Sequence, residues 1–443
     1  MEATKKGSGV FFRIGRRPRW SSRAAVMPIR KKTPDPLVPP LVPRFGLPVR
    51  RESLTYGLLI TLVLTAGALA SSPLAVPVDG EPLAAGIAAI DDSWNIAFTA
   101  NGGSRQIAAA DLVRWGNPRD LVRGPVVVLA DGGWLAADVL QADKETLRAD
   151  SAVFGPMEVP LELLRGIVFQ LPLDQLQRDL LLDDVSAAEG NSDELILANG
   201  DRIAGRLEAI GDAIVQIQSA VGPVDVERRR LRALIFNPSL LSRTAASGLR
   251  ALVGLSDGSL AVARQLVLDK DSLKVTVSGG FTWNTAPKEL VYLQPLGGRA
   301  TYVSDLEPAG YRHVSFLDWS WPYRADRNVT GGRLRAGDLI YAKGLGMHSA
   351  ARITYVLDGD YARFDALAAI DDSTAGQGSV GLRVFVDGSV KFTSPTVRGG
   401  DAAVPVSVDL HGAKRLDLIV DFADRADVCD HADWLDARIV RER

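Results

Sequence analysis

Residues 193–238 read DELILANGDRIAGRLEAIGDAIVQIQSAVGPVDVERRRLRALIFNP. Leu195-Ile196-Leu197 runs into Asn199-Gly200, and Ile203 follows the turn. Asn-Gly tolerates the positive φ that the tip of a two-residue hairpin demands. Residues 213–217 (AIVQI) then alternate, as a strand with one buried face must. Gly222-Pro223 turns the chain again, Val224-Asp225-Val226 alternates, and Leu234-Ile235-Phe236 closes the stretch. About five short strands in so few residues predict a curled antiparallel sheet or small SH3-like barrel.

The same pattern occurs four times. The turn pairs are Asp79-Gly80, Asp131-Gly132, Asn199-Gly200 and Asp257-Gly258. The closing aromatics are Trp115, Phe169, Phe236 and Tyr292, and Pro118, Pro172, Pro238 and Pro295 follow them. Turn-to-aromatic distances of 36, 38, 37 and 35 residues give four repeats over 75–297, bounded at 75–118, 125–172, 193–238 and 250–297. Residues 173–190 interrupt the series; Leu173, Leu176 and Leu180 fall at helical spacing and predict a short linking helix. The Asp-Gly carboxylates are explained by turn geometry, and no His precedes His313. The repeats therefore read as a scaffold, a spacer or a protein-interaction surface.

The chain has 443 residues, a length that predicts about three domains. Its 42 Gly and 24 Pro mostly separate short apolar runs, which favours strands over helices. Residues 1–51 carry 13 Lys/Arg and two acids, whereas 71–443 carry 38 Lys/Arg and 50 Asp/Glu, a net −12. So acidic a body does not offer the cationic surface that nucleic acid requires. Cys429 is the only cysteine, so neither an internal disulfide nor a Cys-rich zinc site is available. Residues 1–50, rich in Arg and Pro, read as a disordered basic leader. Residues 51–70 read as a signal peptide or membrane anchor. The uncharged run 54–70 follows Arg50-Arg51 and ends in Ala68-Leu69-Ala70, a small-x-small cleavage pattern before Ser71. Both readings place the body outside the cytoplasm, with membrane contact only through 54–70.

Residues 305–443 differ in texture. All four His, and Trp319, Trp321 and Trp434, lie here. Strand-like runs at 353–357, 364–370, 380–386, 404–410 and 416–420 are divided by Gly, Asp or Pro turns, which predicts an antiparallel β-sandwich. The chain as a whole reads as all-β. Five motifs then occur in order: Lys343-Gly344-Leu345-Gly346-Met347-His348-Ser349, Asp371-Asp372, Arg383-Val384-Phe385-Val386-Asp387-Gly388, Arg398-Gly399-Gly400-Asp401, and Asp430-His431-Ala432-Asp433-Trp434. Together with Val314-Ser315-Phe316-Leu317-Asp318-Trp319 they make residues 310–441 resemble the NPCBM family of carbohydrate-binding modules. The resemblance implies a galactose-binding-like jelly roll, found beside glycosidases or in exported multi-domain proteins.

The residues are compatible with that chemistry. A sugar offers apolar C–H faces and dense hydroxyls, so its site needs an aromatic platform and hydrogen-bonding side chains. Trp319, Trp321 and Tyr323 share one face if this stretch is extended, beside Asp318 and Arg324. They form either a platform or a plug for one end of the sandwich. His348 is either a ligand contact or a buried hydrogen-bonding group. The 398–401 loop either reaches a ligand, through Arg398 and Asp401, or is a structural turn. His431 and Trp434 complete the candidate set. Asp430 and Asp433, with Asp371 or Asp372 from another loop, have the spacing for calcium, or else they tie their loops together.

The sequence holds no phosphate-binding loop, no His-Glu-x-x-His and no dinucleotide fingerprint. It is read as a non-catalytic, exported carbohydrate-binding protein. The alternative is a cell-envelope structural or protein-interaction protein that uses the sandwich for adhesion.

Overall fold

The computed structural model describes residues 72–442 apart from 101–102, 242–246 and 316–318. The leader, the 54–70 segment and Asp318 lie outside the described residues. Among the described residues, no helix is long and apolar enough to cross a membrane.

The turn glycines set the first hairpins. Gly80, Gly132, Gly200 and Gly258 adopt φ of 95°, 95°, 93° and 88°, values a side chain disfavours. They end the strands Leu74–Pro77, Val126–Leu129, Asp193–Leu197 and Arg250–Leu255. The second strand is bent by a bulge or a break: Leu83–Ile90 and Arg202–Ile210 shift register midway, and the other two split into Trp134–Ala136 with Asp138–Ala142 and Leu260–Ala263 with Gln265–Leu268. Two further strands follow, then one turn of 3-10 helix, then a closing strand: Leu112–Gly116, Leu164–Val168, Leu231–Ile235 or Leu290–Leu296. Each closing strand pairs antiparallel with the first strand of its own segment, curling the sheet round a core.

The segments join edge to edge, in two equivalent pairs. Segments one and four pair through their closing strands (Leu293 opposite Trp115) and their second strands (Leu268 opposite Ile90). Segments two and three repeat this arrangement with Ile167 opposite Leu234 and Ala142 opposite Ile210. A contact of Leu260 with Trp134 links the two pairs. Pairing consumes edges that would otherwise stay open to other chains.

One α-helix, Gln175–Ala187, is present among the described residues, and the Asp174 carboxylate caps it by accepting from the Gln177 N–H at 2.8 Å. Its buried positions are Asp179, Leu182 and Val185. Leu173, expected on the apolar stripe, precedes the cap and is 99% exposed. Leu176 and Leu180 instead reach across to Gly332 and Gly331 of the C-terminal domain.

That domain is a two-sheet sandwich. One sheet runs Arg324–Ala325, Gly344–His348, His431–Arg441, Tyr361–Ile370, Val404–Asp409, with Ala300–Tyr302 beside His431–Arg441. The other runs Gly310–His313, Ala351–Val356, Arg415–Phe422, Ser379–Val386, Ser389–Thr393. Between them Trp434 meets Phe364 edge-on at 6.2 Å, among Met347, Ile353, Leu382 and Leu418.

The sandwich is fastened to the segments. Arg114 Nε donates to Asp436 Oδ2 at 2.8 Å and Gln294 Nε2 donates to Asp436 Oδ1 at 3.0 Å, all three side chains buried. Arg335 makes a two-pronged pair with Asp120 at 2.8 and 3.0 Å, and the Arg333 N–H donates to Asp179 at 2.9 Å. Val78, Val113, Ala300 and Val440 form an apolar contact across the same joint.

A candidate binding surface of tryptophan and histidine

His348 ends the strand Gly344–His348, and His431 opens the neighbouring strand directly opposite it. His313 ends the edge strand of the other sheet. Trp319 and Trp321 lie at this same end of the sandwich. Trp321 lies flat on the His348 ring, centroids 4.9 Å apart and planes 2° apart, and leans on His431 at 5.8 Å. The Trp321 backbone N–H donates to His313 Nδ1 at 3.3 Å, and His313 meets His348 edge-on at 5.8 Å. Trp319 tilts against Trp321 at 6.4 Å and is 70% exposed.

The roles divide by exposure. His348 is only 3% exposed, so it is the backing plate on which the indole rests. Trp319, Trp321 and the half-buried His431 are what a ligand can touch. Desolvation, with His431 and His313 alongside, lowers the His348 pKa to about 4; burial lowers His431 and His313 as well. The rings are thus neutral at ordinary pH, each able to donate once and accept once. Among the described residues, the buried Nδ1 atoms of His348 and His431 have no hydrogen-bond partner.

Residues 299–440 match the family model described as the NPCBM/NEW2 domain. This part of the chain is an NPCBM domain. An α-1,3-galactosidase B of Akkermansia muciniphila is 33% identical over 117 residues, 26% of this chain and 15% of that protein. A Renibacterium salmoninarum protein, provisionally named as an endo-α-N-acetylgalactosaminidase, is 27% identical over 222 residues, 46% of this chain and 14% of that protein. The chain thus spans about one-seventh of the curated relatives it matches. A CBM51 module of Clostridium perfringens solved with methyl-galactose is 26% identical, covers 32% of this chain and 99% of that one, and has a TM-score of 0.29.

Several expected site residues of the NPCBM domain sit elsewhere. Trp434 is 0% exposed, because its position in the central strand points it between the sheets; it is core and cannot stack on a sugar. Tyr323 leaves the platform: residues 319–323 are not a strand, so period-two alternation does not apply, and its ring packs on Tyr311 at 5.2 Å. Arg398 and Asp401 form a turn tied down by Arg398 N–H to Asp401 at 2.8 Å and by Arg398 to Asp424 at 2.7 Å. His313 was not among the expected residues. The signal was available, since it stands six residues before Trp319 at a strand end, but an isolated His carries no motif.

Three of the four aspartates considered for calcium are engaged by protein donors. Asp371 accepts from Asn328 Nδ2 at 2.8 Å, Arg335 N–H at 2.9 Å and Ser373 N–H at 3.0 Å. Asp372 accepts from the Gly337 and Asp338 N–H groups, and Asp430 from Ser379 N–H at 2.8 Å. These three tie neighbouring backbone segments together, and Asp433 is fully buried close to Asp371. Among the described residues, no group of three or more His, Cys, Asp or Glu is arranged to hold a metal. Residues 254–258 spell Gly-Leu-Ser-Asp-Gly, the spacing of a hydrolase nucleophile elbow. Here it is a strand end and hairpin turn whose Ser256 hydroxyl bonds Glu289, in a segment without His.

Burial pushes Asp433 well above the carboxylate range, reinforced by Asp371, and burial raises Asp430 to about 6. A raised folded pKa stabilises fully below the unfolded value, and that contribution is lost as pH climbs through the folded one. Asp430→Asn keeps an acceptor for the Ser379 N–H but has no charge to bury. Its melting temperature is expected to gain on the wild type as pH rises from 4 to 7, measured by thermal melts across that range. A constant difference would show that Asp430 stays ionised in the fold.

Proposed function

We propose that this protein binds carbohydrate through the Trp319–Trp321–His431 surface of its NPCBM domain. The observation that carries the reading is the Trp321 indole held flat on buried His348, with exposed Trp319 tilted beside it. A sugar ring laid on the indoles buries its C–H face, and its rim hydroxyls lie beside the neutral His431 imidazole. The name of the Akkermansia relative makes α-linked galactose the first candidate residue. Binding, rather than bond cleavage, is the proposed activity. The charged start and apolar run of 51–70 support export, by cleavage or as an anchor, so the surface would meet glycans outside the cytoplasm.

A glycan array probed with the full chain, followed by calorimetry on the hits, tests this. Retention of galactose- or N-acetylhexosamine-terminated glycans is expected, without hydrolysis of them. A well-folded preparation that retains no glycan overturns the reading.

A further inference from the structure

A cleft of about 440 Å3 lies between the fourth segment, the second segment and the sandwich. Its lining holds five cations, Arg250, Arg264, Arg327, Arg333 and Lys343, and three carboxylates, Asp131, Asp183 and Asp326. The balance is +2, on a body whose 38 Lys/Arg against 50 Asp/Glu give −12.

Three of the cations are answered. Lys343 contacts Asp305 at 2.5 Å and Asp326 at 2.8 Å, Arg327 stands 3.5 Å from Asp183, and Arg333 stands 3.7 Å from Asp120 with its guanidinium over Trp134. Arg250 and Arg264 are not. Among the described residues neither makes an ion pair, and the Arg264 side chain has only a 3.3 Å bond to the Ser247 carbonyl. Ala251 pairs with Ala263 at the end of their ladder, Arg250 and Arg264 follow these two residues, and both line the cleft. Asp131 feels Arg264 through space, but its oxygens take the Gly133 N–H and the Ser278 hydroxyl, and burial pushes its carboxyl upward, so it quenches the pair poorly.

Leu252, Leu260 and Val262 form an apolar floor beside this pair, and Trp134 adds an indole to the wall. Two guanidinium forks over such a floor suit an oxyanion carried on a ring with an apolar face. We infer that the cleft is a second ligand site, for a sugar bearing a carboxylate or sulfate. It is separate from the Trp319–Trp321 surface and does not depend on what that surface binds.

Calorimetry on the full chain with trigalacturonate, glucuronate, galactose 6-sulfate and inorganic sulfate tests this. At least one sugar acid should bind, weakening as salt rises. The double variant R250Q/R264Q should lose at least tenfold in that affinity. Without ligand, it should melt no lower than the wild type, because neither guanidinium has a carboxylate partner to lose. Absence of binding to every acidic probe overturns the site, as does unchanged affinity in the double variant. A clearly lower melting temperature of the variant also overturns it, since the two arginines would then be holding the fold. Equal affinity for inorganic sulfate and for the sugar acids overturns the assignment to a saccharide. Glycan retention at the tryptophan surface should survive R250Q/R264Q, so failure of this inference and failure of the proposed function are told apart.

Discussion

Trp321→Ala is expected to remove most glycan affinity while leaving the sandwich folded. The indole lies outside the buried core cluster and rests on His348 instead, so its loss opens a surface rather than a core cavity. A central Trp anchor is worth roughly 2 kcal/mol or more in binding, which is about thirtyfold in Kd. The same change uncovers His348. With less desolvation, its pKa should climb from about 4 towards the ordinary 6.5. Proton NMR titration of the imidazole reads that shift, and calorimetry reads the affinity. Trp319→Ala is the companion variant: at 70% exposure it should reduce affinity with no change in melting temperature. Wild-type affinity in both variants would move the glycan site elsewhere on the domain.

The all-β class was legible because turn chemistry and alternation speak locally. The four turn glycines take positive φ, and the alternation read at 213–217 lies on the strand Ile214–Ser219. The NPCBM character was legible from ordered motifs, since Gly344, Gly346 and Asp371 each meet backbone closely at their positions. The face a tryptophan takes was not legible. Trp319 and Trp434 both stand next to an aspartate, yet one follows a strand edge and the other is in the central strand, and only non-local pairing decides that. The burial of Asp433 was not legible for a related reason. The strand His431–Arg441 is covered on both faces, by its partner sheet and by loops and segments packed outside, so polar positions are buried too. The pairing of segment one with four, and of two with three, has no sequence signal, because each segment presents the same kind of edge to every other.

Asp436→Asn should produce a large loss of stability, and it tests what the joint is for. Asp436 adopts φ 47°, a conformation that Asn accepts more readily than most residues, so the substitution leaves the backbone unstrained while it removes the charge and one of the two acceptor oxygens. It leaves the Arg114 guanidinium buried against Tyr341 with its hydrogen bonds to Gly116 and Asn117 but without its counter-charge. Breaking a buried pair from one side costs about 3–5 kcal/mol. Calorimetric melting should drop, and a single transition should split as the sandwich and the segments lose their coupling. Arg114→Met added to Asp436→Asn should recover part of the loss, because the uncompensated charge is then gone. An unchanged melting temperature for Asp436→Asn alone would assign the joint to the apolar contact of Val78, Val113, Ala300 and Val440. The split matters for binding. Glycan affinity of the isolated surface should persist in Asp436→Asn, since Trp321 and His348 are set by pairing within the sandwich. What the variant loses is the fixed angle at which the segments hold that surface, and with it any gain from two linked glycan contacts on one molecule.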